Sequence, residues 1–227
     1  HPELGVNTDS PRFMELWNLV FIQYFRDQTG ELTELPNKHV DTGAGFERVV
    51  AYLQGKDSNY DTDLFTPILD EISSLSGVAY QSDEQGMAHR VIADHARMLT
   101  FSISDGAIPS NDGRGYVLRR ILRRAARYGR NLGMNDAFLY KLVPIVVAVM
   151  GEAYPELNER VAYIQKVIKS EEDSFSQTLG RGLQIFAGMV KDAKSASQKT
   201  LSGENVFKLY DTFGFPVDLT SLMADEE

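Results

Sequence analysis

The chain has 227 residues, of which 43% are hydrophobic and 24% charged, so its composition is that of an ordinary globular protein with one large or two small domains. No apolar run is long enough to cross a bilayer, and the absence of cysteine excludes disulfides, thiolate nucleophiles and cysteine-ligated zinc. A net charge of −9 argues against general nucleic-acid affinity, and we expect a cytoplasmic protein with no membrane partner.

The first predicted element is a strand over Phe13–Phe25, where aromatic and β-branched residues follow one another. Apolar residues on both of its faces predict a central strand that is covered on both sides. Asn18 shares a face with Val20, so its amide is either satisfied by neighbouring backbone or offered to a ligand. A polar connection over residues 27–37 is then expected to lead into a return strand, His39–Thr42.

Two glycines one residue apart, Gly43 and Gly45, follow this return strand. Phe46–Gln54 contains no glycine or proline and precedes Gly55, which predicts a helix that ends at a glycine cap. Free backbone N–H groups at the start of that helix, with Arg48 in its first turn, form the kind of site that holds a nucleotide phosphate. The alternative is an ordinary strand-to-helix turn, because neither a Walker lysine nor the third glycine of a dinucleotide fingerprint is present.

The rest of the chain has helical patterns. Thr66 and Pro67 are expected to open a short helix, with Thr66 as its N-cap. Small and polar residues around Ser73–Gly86 indicate a domain boundary, so we predict one domain over 1–76 and a second over 77–227. Further helices are predicted from Ile92 to Ile103, over 114–130, over 136–150 with a kink at Pro144, over 157–193 as one or two helices loosened by Gly180, Gly182 and Gly188, and over 202–210.

Seven arginines and no acidic residue lie between Arg114 and Arg130. Since the whole chain has 23 basic residues, 16 remain elsewhere against 32 acidic ones. Like charges at i, i+4 along a helix cost stability, and a phosphate backbone is one reason to accept that cost. The alternatives are a solvated face, pairing with distant carboxylates, or a protein–protein dock. The arginines predicted to contact RNA are Arg114, Arg119, Arg120, Arg123, Arg124 and Arg127.

Asn111 and Asp211 stand in predicted loops beside glycine or proline, where both residue types are common turn formers. Turn chemistry is therefore the first interpretation of each, with ligand contact as the alternative. His89 and His95 do not share a helical face as i, i+4 metal ligands would. We expect both histidines to be structural and predict no metal site.

Five segments carry patterns that become specific in combination. They are Trp17–Phe21, Gly43–Arg48, Asn59–Asp63, Gly113–Arg120 and Leu209–Pro216. Together they resemble the alanyl-tRNA synthetase family, a branch of the class II aminoacyl-tRNA synthetases, over nearly the whole chain. Gly43–Arg48 is similar to the third signature motif of that class, and Asp41 matches the alanine-specific version where the general pattern has glycine.

The resemblance implies an α+β fold: the C-terminal part of a class II antiparallel sheet with the motif 3 helix, followed by a mostly helical domain that recognises tRNA. It also implies ATP, Mg²⁺ and L-alanine as ligands, with the main Mg²⁺ ligands outside this chain. Arg48 is then expected to hold the ATP phosphates as a catalytic residue, while Gly43 and Gly45 let the adenosine pack against backbone. The residues expected to bind alanine are Asn18, Val20, Asp41 and Gly43.

For the second domain the resemblance implies contact with the acceptor stem of alanine tRNA. Asn111 and Asp211 match the family residues that read a G·U wobble pair, and the arginine helix is expected to hold neighbouring phosphates. Wobble pairing leaves the guanine amino group free in the wide RNA minor groove, where a carboxylate or an amide oxygen can accept from it.

The resemblance also implies missing parts. The two upstream signature motifs, the editing domain and the dimerising region of the family have no counterpart in this sequence. We therefore expect a monomeric piece of such a ligase that binds tRNA but does not activate alanine on its own. The alternative is a stand-alone RNA-binding module for the acceptor stem, in which the glycine turn has only a structural role.

Overall fold

The computed structural model describes residues 13–215 and 217–227, and at Thr178 it describes the backbone alone. The chain forms two compact units, one ending at Leu64 and one running from Phe65 to Glu227. A helix over Thr66–Ser76 belongs to the second unit, whereas the sequence places it before the domain boundary. The functional division at residue 76 stays a prediction.

The first unit contains an antiparallel hairpin of β1, Trp17–Arg26, and β2, Leu32–Ala44. A tight turn joins the two strands, because the Asp27 carboxylate accepts the backbone N–H groups of Thr29 at 2.8 Å and Glu31 at 3.0 Å. The Thr29 hydroxyl donates to the same carboxylate and is the main reason that the pKa of Asp27 lies below its usual value. The predicted connection over residues 27–37 is therefore too long.

β2 begins well before the predicted return strand and includes Pro36. Proline lacks the N–H group of a strand ladder, so it is tolerated mainly at edges and irregular points. The pairing shifts near this residue, since Ile22 lies opposite His39 whereas Tyr24 lies opposite Glu34. A bulge around Pro36 thus allows the strand to continue through a stretch that looks like a loop in the sequence.

Both faces of the hairpin are exposed, with Phe21 at 68% of its full accessibility on one face and Val20 at 49% on the other. The sheet of the described residues has two strands, and β1 pairs with β2. The prediction of a central strand covered on both sides is therefore wrong for the part of the chain that the structure describes. An apolar pattern shows which faces a strand can bury, but the covering element is a matter of tertiary structure.

β2 leads through Gly45 into helix α1, Phe46–Leu53. Gln54 is the C-cap of α1, and Gly55 follows with φ +63°. The predicted order of strand, glycine turn and helix with a glycine at its end is thus confirmed.

The described residues of the second unit form seven α-helices. They are α2 (Thr66–Ser76), α3 (Met87–Ser104), α4 (Gly113–Asn131), α5 (Leu139–Met150), α6 (Glu156–Ser195), α7 (Gly203–Phe213) and α8 (Val217–Asp225). Of these, α3 and α6 each pack against four others. α3 packs against α2, α4, α5 and α6, and Ile92, Leu99 and Ile103 are fully buried, as their spacing predicts. Thr66 lies inside α2 rather than at its cap, which is Phe65.

Hairpin and helices together make the described chain an α+β structure, as predicted. No described helix has both the length and the apolar character that a membrane span requires.

α6 is one helix of 40 residues, and its glycines do not interrupt it. Gly182 lies against the buried ring of Phe215, where an added Cβ would come 2.1 Å from Cε2. The predicted loosening at Gly182 is therefore wrong, because the missing side chain is what allows this close approach.

Candidate functional site

α4 carries the arginine strip and buries Leu118, Leu122 and Ala125 along its other side. The arginines and the apolar stripe thus take different faces, as in any amphipathic helix. This division leaves most of the guanidinium groups at or near the surface of the second unit.

The loop before α4 lies against the first turn of that helix. The approach depends on Gly115, because an added Cβ would come 2.1 Å from Ser110 Oγ and 2.3 Å from the carbonyl oxygen of Ile108. Asn111 belongs to this loop, as predicted. Because Gly115 has no side chain, the loop that contains Asn111 can lie beside α4.

One carboxylate, Glu171 of α6, pairs with two arginines of α4. Its Oε1 lies 2.9 Å from Nε of Arg119 and accepts from Nη2 of Arg123 at 2.8 Å. Its Oε2 accepts from Nη2 of Arg119 at 3.0 Å. The Glu171 side chain is 11% exposed, so water and salt screen these pairs less than they screen surface pairs.

Each of these two arginines also contacts a candidate residue or the backbone close to one. Arg119 donates through Nη1 to the amide oxygen of Asn111, and Arg123 donates through Nη1 to the carbonyl oxygen of Gly214. Gly214 ends α7 at φ +66°, a backbone conformation that favours glycine. The Arg123 guanidinium also lies 5.0 Å from the centroid of the Phe175 ring. The two arginines are therefore held on several sides.

A cavity of about 440 Å³ lies between these elements, and we call it the α4–α7 cavity. It brings together Asn111 and Asp211, which are far apart in the sequence. Its walls are formed by Asn111, Tyr116, Arg119, Arg123, Tyr210, Asp211 and Gly214. Two candidate recognition residues and two arginines of the strip thus meet in one concave site.

Asp211 lies in the last turn of α7 rather than in the predicted loop. A carboxylate at a helix C-terminus faces the negative end of the helix dipole, which costs about 0.3–1 kcal/mol. The Asp211 carboxylate is exposed and lines the cavity, and no hydrogen bond or ion pair to the described part of the chain holds it. Turn formation therefore does not account for this residue.

The remaining arginines of the strip differ in their exposure. Arg114 is exposed at the start of α4. Arg127 is 8% exposed and pairs with Glu226, so the predicted RNA contact at Arg127 requires an exposure that it lacks. Pairing with distant carboxylates was one of the alternatives open from the sequence, and it is present at Arg119, Arg120, Arg123 and Arg127.

Arg120 and Arg124 each follow one of the two arginines that contact Glu171, and they lie on the adjacent ridge of α4. Arg120 pairs with Asp218 at 3.1 Å, and both side chains are about 40% exposed. Arg124 is half-buried, and its charge helps to keep the pKa of Asp94 below the usual value, although the hydrogen bond from His95 is the larger cause.

On the hairpin, the residues predicted to bind an amino acid form two cross-strand pairs. Asn18 lies opposite Gly43, and Val20 lies opposite Asp41. Directly opposed residues of antiparallel strands share a face, so all four lie on one exposed face of the hairpin. Asp41 accepts the Thr42 N–H group through Oδ1 at 2.9 Å, which leaves Oδ2 open.

Glu15 contacts two of the hairpin candidates. Asn18 donates to its side chain at 3.2 Å, and Arg48 donates through Nη1 to its carbonyl oxygen at 3.0 Å. The amide oxygen of Asn18 lies 3.0 Å from the position that a Cβ on Gly43 would take. Asn18 is thus bound through its amide nitrogen, while its oxygen lies over the glycine backbone.

The start of α1 combines three features of an anion site. Gly45 is its N-cap and offers no side-chain hydrogen bond to the first turn. Arg48 folds back over this end, with its Cδ 3.0 Å from the position of a Cβ on Gly45. Arg48 is exposed. A glycine N-cap and an exposed guanidinium that folds back over it therefore lie together at the start of the helix.

His89 and His95 make contacts that fit the structural role predicted for them. Nε2 of the buried His89 lies 3.0 Å from the carbonyl oxygen of Val78, and Nδ1 of His95 lies 3.2 Å from Asp94. Among the described residues, no group of three or more His, Cys, Asp or Glu side chains is arranged to hold a metal.

Glu171 is the member of the site that the sequence does not single out. It stands in the run Glu171-Glu172-Asp173, and a run of acids on a helix is typical of a solvated face. In the fold, Glu171 contacts α4 and Glu172 contacts the start of α5. No local signal separates these neighbours, because their partners lie elsewhere in the chain.

A family model described as tRNA synthetases class II (A) matches residues 1–227. The alanine–tRNA ligase of Chlorobaculum tepidum is 57% identical over 224 residues, which cover 97% of this chain and 25% of that protein. The alanine–tRNA ligases of Streptococcus pneumoniae and Desulforamulus reducens are 50% and 49% identical, and the matches cover 98% and 100% of this chain and 26% of each relative. The chain thus spans about a quarter of the length of these relatives.

Proposed function

The chain belongs to the class II (A) family of tRNA synthetases, and on that basis we propose that it serves as part of an alanine–tRNA ligase. In this proposal the helical unit binds the acceptor stem of alanine tRNA. The hairpin unit contributes residues to the site where ATP activates L-alanine. We place the ligase in the cytoplasm, where tRNA is charged.

The α4–α7 cavity is the observation that carries the proposal. The carboxylate of Asp211 and the amide of Asn111 line the same concavity, together with two arginines. A G·U wobble pair exposes a guanine amino group in the shallow RNA minor groove, and a carboxylate is a strong acceptor for it. We propose that Asp211 accepts from this amino group and that Asn111 contacts the same base pair.

The arginines then supply affinity rather than choice of sequence. Arg119 and Arg123 carry two positive charges, which balance the negative charges of Glu171 and Asp211 around the cavity. Arg114 is exposed at the start of α4 and is available to a phosphate group. Phosphate contacts of this kind position a nucleic acid but do not distinguish one base pair from another.

For the hairpin, we propose that Asp41 accepts from the alanine ammonium group through its open Oδ2. Asn18 and the backbone at Val20 lie on the same face and frame the small substrate, and Gly43 leaves room because it has no side chain. These contacts orient the amino acid but do no chemistry themselves.

The start of α1 fits the phosphate groups of ATP. It is a helix N-terminus that carries the Arg48 guanidinium, and Gly45 makes room for that side chain. ATP supplies the phosphoanhydride that activates the alanine carboxylate, and Arg48 would stabilise the negative charge that develops there. No acidic cluster that fits Mg²⁺ lies within the described residues, so we expect its main ligands elsewhere in the ligase.

The test compares binding of this chain to two acceptor-stem RNA hairpins that differ in one base pair, G·U or G·C. We expect the unsubstituted chain to prefer the G·U hairpin about tenfold or more, and Asp211→Asn to lose most of this preference. The amide keeps the shape of the side chain but loses its charge and one acceptor oxygen. Asp192→Asn, which removes an exposed acid of α6, is the matched control. Equal binding of both hairpins by the unsubstituted chain would refute the proposal.

A stand-alone RNA-binding module is the second candidate, and the placement of the whole α4–α7 cavity within the second unit favours it. In both candidates this chain binds RNA, and we expect no alanine-dependent ATP–pyrophosphate exchange from the chain on its own. Robust exchange by the 227-residue chain would contradict that expectation and exclude the module. Substitution at Arg48 in a whole ligase separates the two candidates.

A further inference from the structure

We propose that Glu171 is a positioning residue that holds the two sides of the α4–α7 cavity in the arrangement that distinguishes base pairs. The inference rests on the proposed function, because it concerns how the same cavity selects its RNA. Glu171 does not line the cavity, so it acts through the residues that do.

A single carboxylate links three parts of the second unit. Glu171 projects from α6 and contacts Arg119 and Arg123, which lie one turn apart on α4. Arg119 continues to the amide oxygen of Asn111, and Arg123 continues to the carbonyl oxygen of Gly214. The loop before α4 and the end of α7 are thereby tied to the same anion.

These two links end next to the two candidate recognition residues. Asn111 is itself the acceptor of the Arg119 contact, so Arg119 sets the rotation of its amide. Asp211 lies three positions before Gly214, in the turn of α7 whose end Arg123 contacts. A change in the tilt of either guanidinium therefore moves one recognition group relative to the other.

Charge gives Glu171 a second effect on selectivity. Two guanidinium groups share the one carboxylate of Glu171, and these contacts restrict the rotation of both side chains. Without that carboxylate, each arginine loses its counterion and its charge is more available to a phosphate group. Phosphate contacts strengthen binding to every RNA alike, so selectivity for one base pair would fall as general affinity rises.

The test uses Glu171→Gln in the 227-residue chain with the G·U and G·C acceptor-stem hairpins. An amide can accept from one arginine, but its NH₂ group opposes the other. We expect the G·U preference to fall about tenfold, and the slope of log affinity against log salt to steepen by about one as an additional phosphate is contacted. Asp173→Asn is the matched control, because it also turns a carboxylate of α6 into an amide. The Asp173 carboxylate contacts Lys169 rather than an arginine of α4.

Glu171→Asp separates charge from reach. Aspartate keeps the carboxylate but is one methylene shorter, so its carboxylate lies farther from the two arginines. We therefore expect the G·U preference to fall while the salt dependence stays close to that of the unsubstituted chain. This variant also tests the proposal if Glu171→Gln fails to fold, which circular dichroism would show. Full G·U preference in Glu171→Asp would overturn the positioning role.

A double-substitution cycle with Asn111→Ala tests whether Glu171 acts through Asn111. Coupled residues lose less together than the sum of their separate losses. We expect Glu171→Gln to reduce the preference much less when Asn111 is already alanine, and full additivity would overturn this route. If the unsubstituted chain shows no G·U preference, the proposed function fails. If it shows one that Glu171→Gln retains, the inference about Glu171 fails and the proposed function stands.

Discussion

The hairpin and the α4–α7 cavity position their candidate residues in different ways. On the hairpin, strand register places Asn18 opposite Gly43 and Val20 opposite Asp41, and all four side-chain positions are exposed. In the cavity, half-buried ion pairs between α4 and one carboxylate of α6 hold two arginines that contact the loop before α4 and the end of α7.

The difference shows how far each arrangement depends on the rest of the fold. A hydrogen-bonded register needs only two adjacent strands and the turn between them. A network of side chains needs every partner in place, and removing one partner leaves a charge without its counterion. A substitution in the cavity should therefore also displace neighbouring side chains, whereas the effect of a substitution on the β-hairpin should be confined to the substituted position.

The largest expected effect is at Arg48. In a whole ligase that contains this segment, we expect Arg48→Ala to slow alanine activation about 100- to 1,000-fold, or about 3–4 kcal/mol, because a preorganised donor for developing negative charge is lost. ATP–pyrophosphate exchange measures this step. The affinity for the RNA hairpin with the G·U pair should be unchanged, since Arg48 belongs to the first unit and every residue that lines the α4–α7 cavity belongs to the second. If exchange stays intact, the glycine turn has a structural role alone.

A smaller effect concerns Glu172, a buried acid next to Glu171. Its carboxylate accepts the N–H groups of Phe138 at 3.0 Å and Leu139 at 3.1 Å, at the start of α5. Burial raises its pKa from 4.5 to about 7, although the two hydrogen bonds oppose the rise. Because the folded chain then binds more protons than the unfolded chain, this contribution to stability is complete below pH 4.5 and is lost as the pH rises through about 7.

We therefore expect the free energy of unfolding to fall by about 3 kcal/mol across that range relative to Glu172→Gln, at about 1.4 kcal/mol for each pH unit. Urea denaturation at several pH values measures both chains. The comparison with Glu172→Gln cancels the contributions that both chains share. Parallel profiles for the two chains would show that burial does not perturb Glu172.

The smallest effect is expected at the Arg120–Asp218 pair, which is about 40% exposed on both sides. Exposed ion pairs contribute little, so Asp218→Asn should change the free energy of unfolding by less than about 1 kcal/mol. The same substitution should leave the G·U preference intact, because neither residue lines the α4–α7 cavity. A clear loss of preference would mean that the network around the cavity extends beyond Glu171.

Most errors of the sequence analysis arise where a local pattern has two meanings. Pro36 is typical of a loop, yet a bulge accommodates it within β2. Gly182 is typical of a weak helix, yet it makes room for Phe215. Asp211 is typical of a turn, yet it lies in the last turn of α7 and lines a cavity. In each case the second meaning depends on a residue that lies elsewhere in the chain.

Features that depend on near neighbours could be predicted from the residues alone. The glycine turn into α1, the buried spacing of α3 and the two faces of α4 are of this kind, because periodicity and backbone freedom act within a few residues. The pairing of Arg119 and Arg123 with Glu171 depends instead on residues that are distant in the sequence. Any of 32 acidic residues is a candidate partner in the sequence, and the fold selects one by bringing α6 against α4.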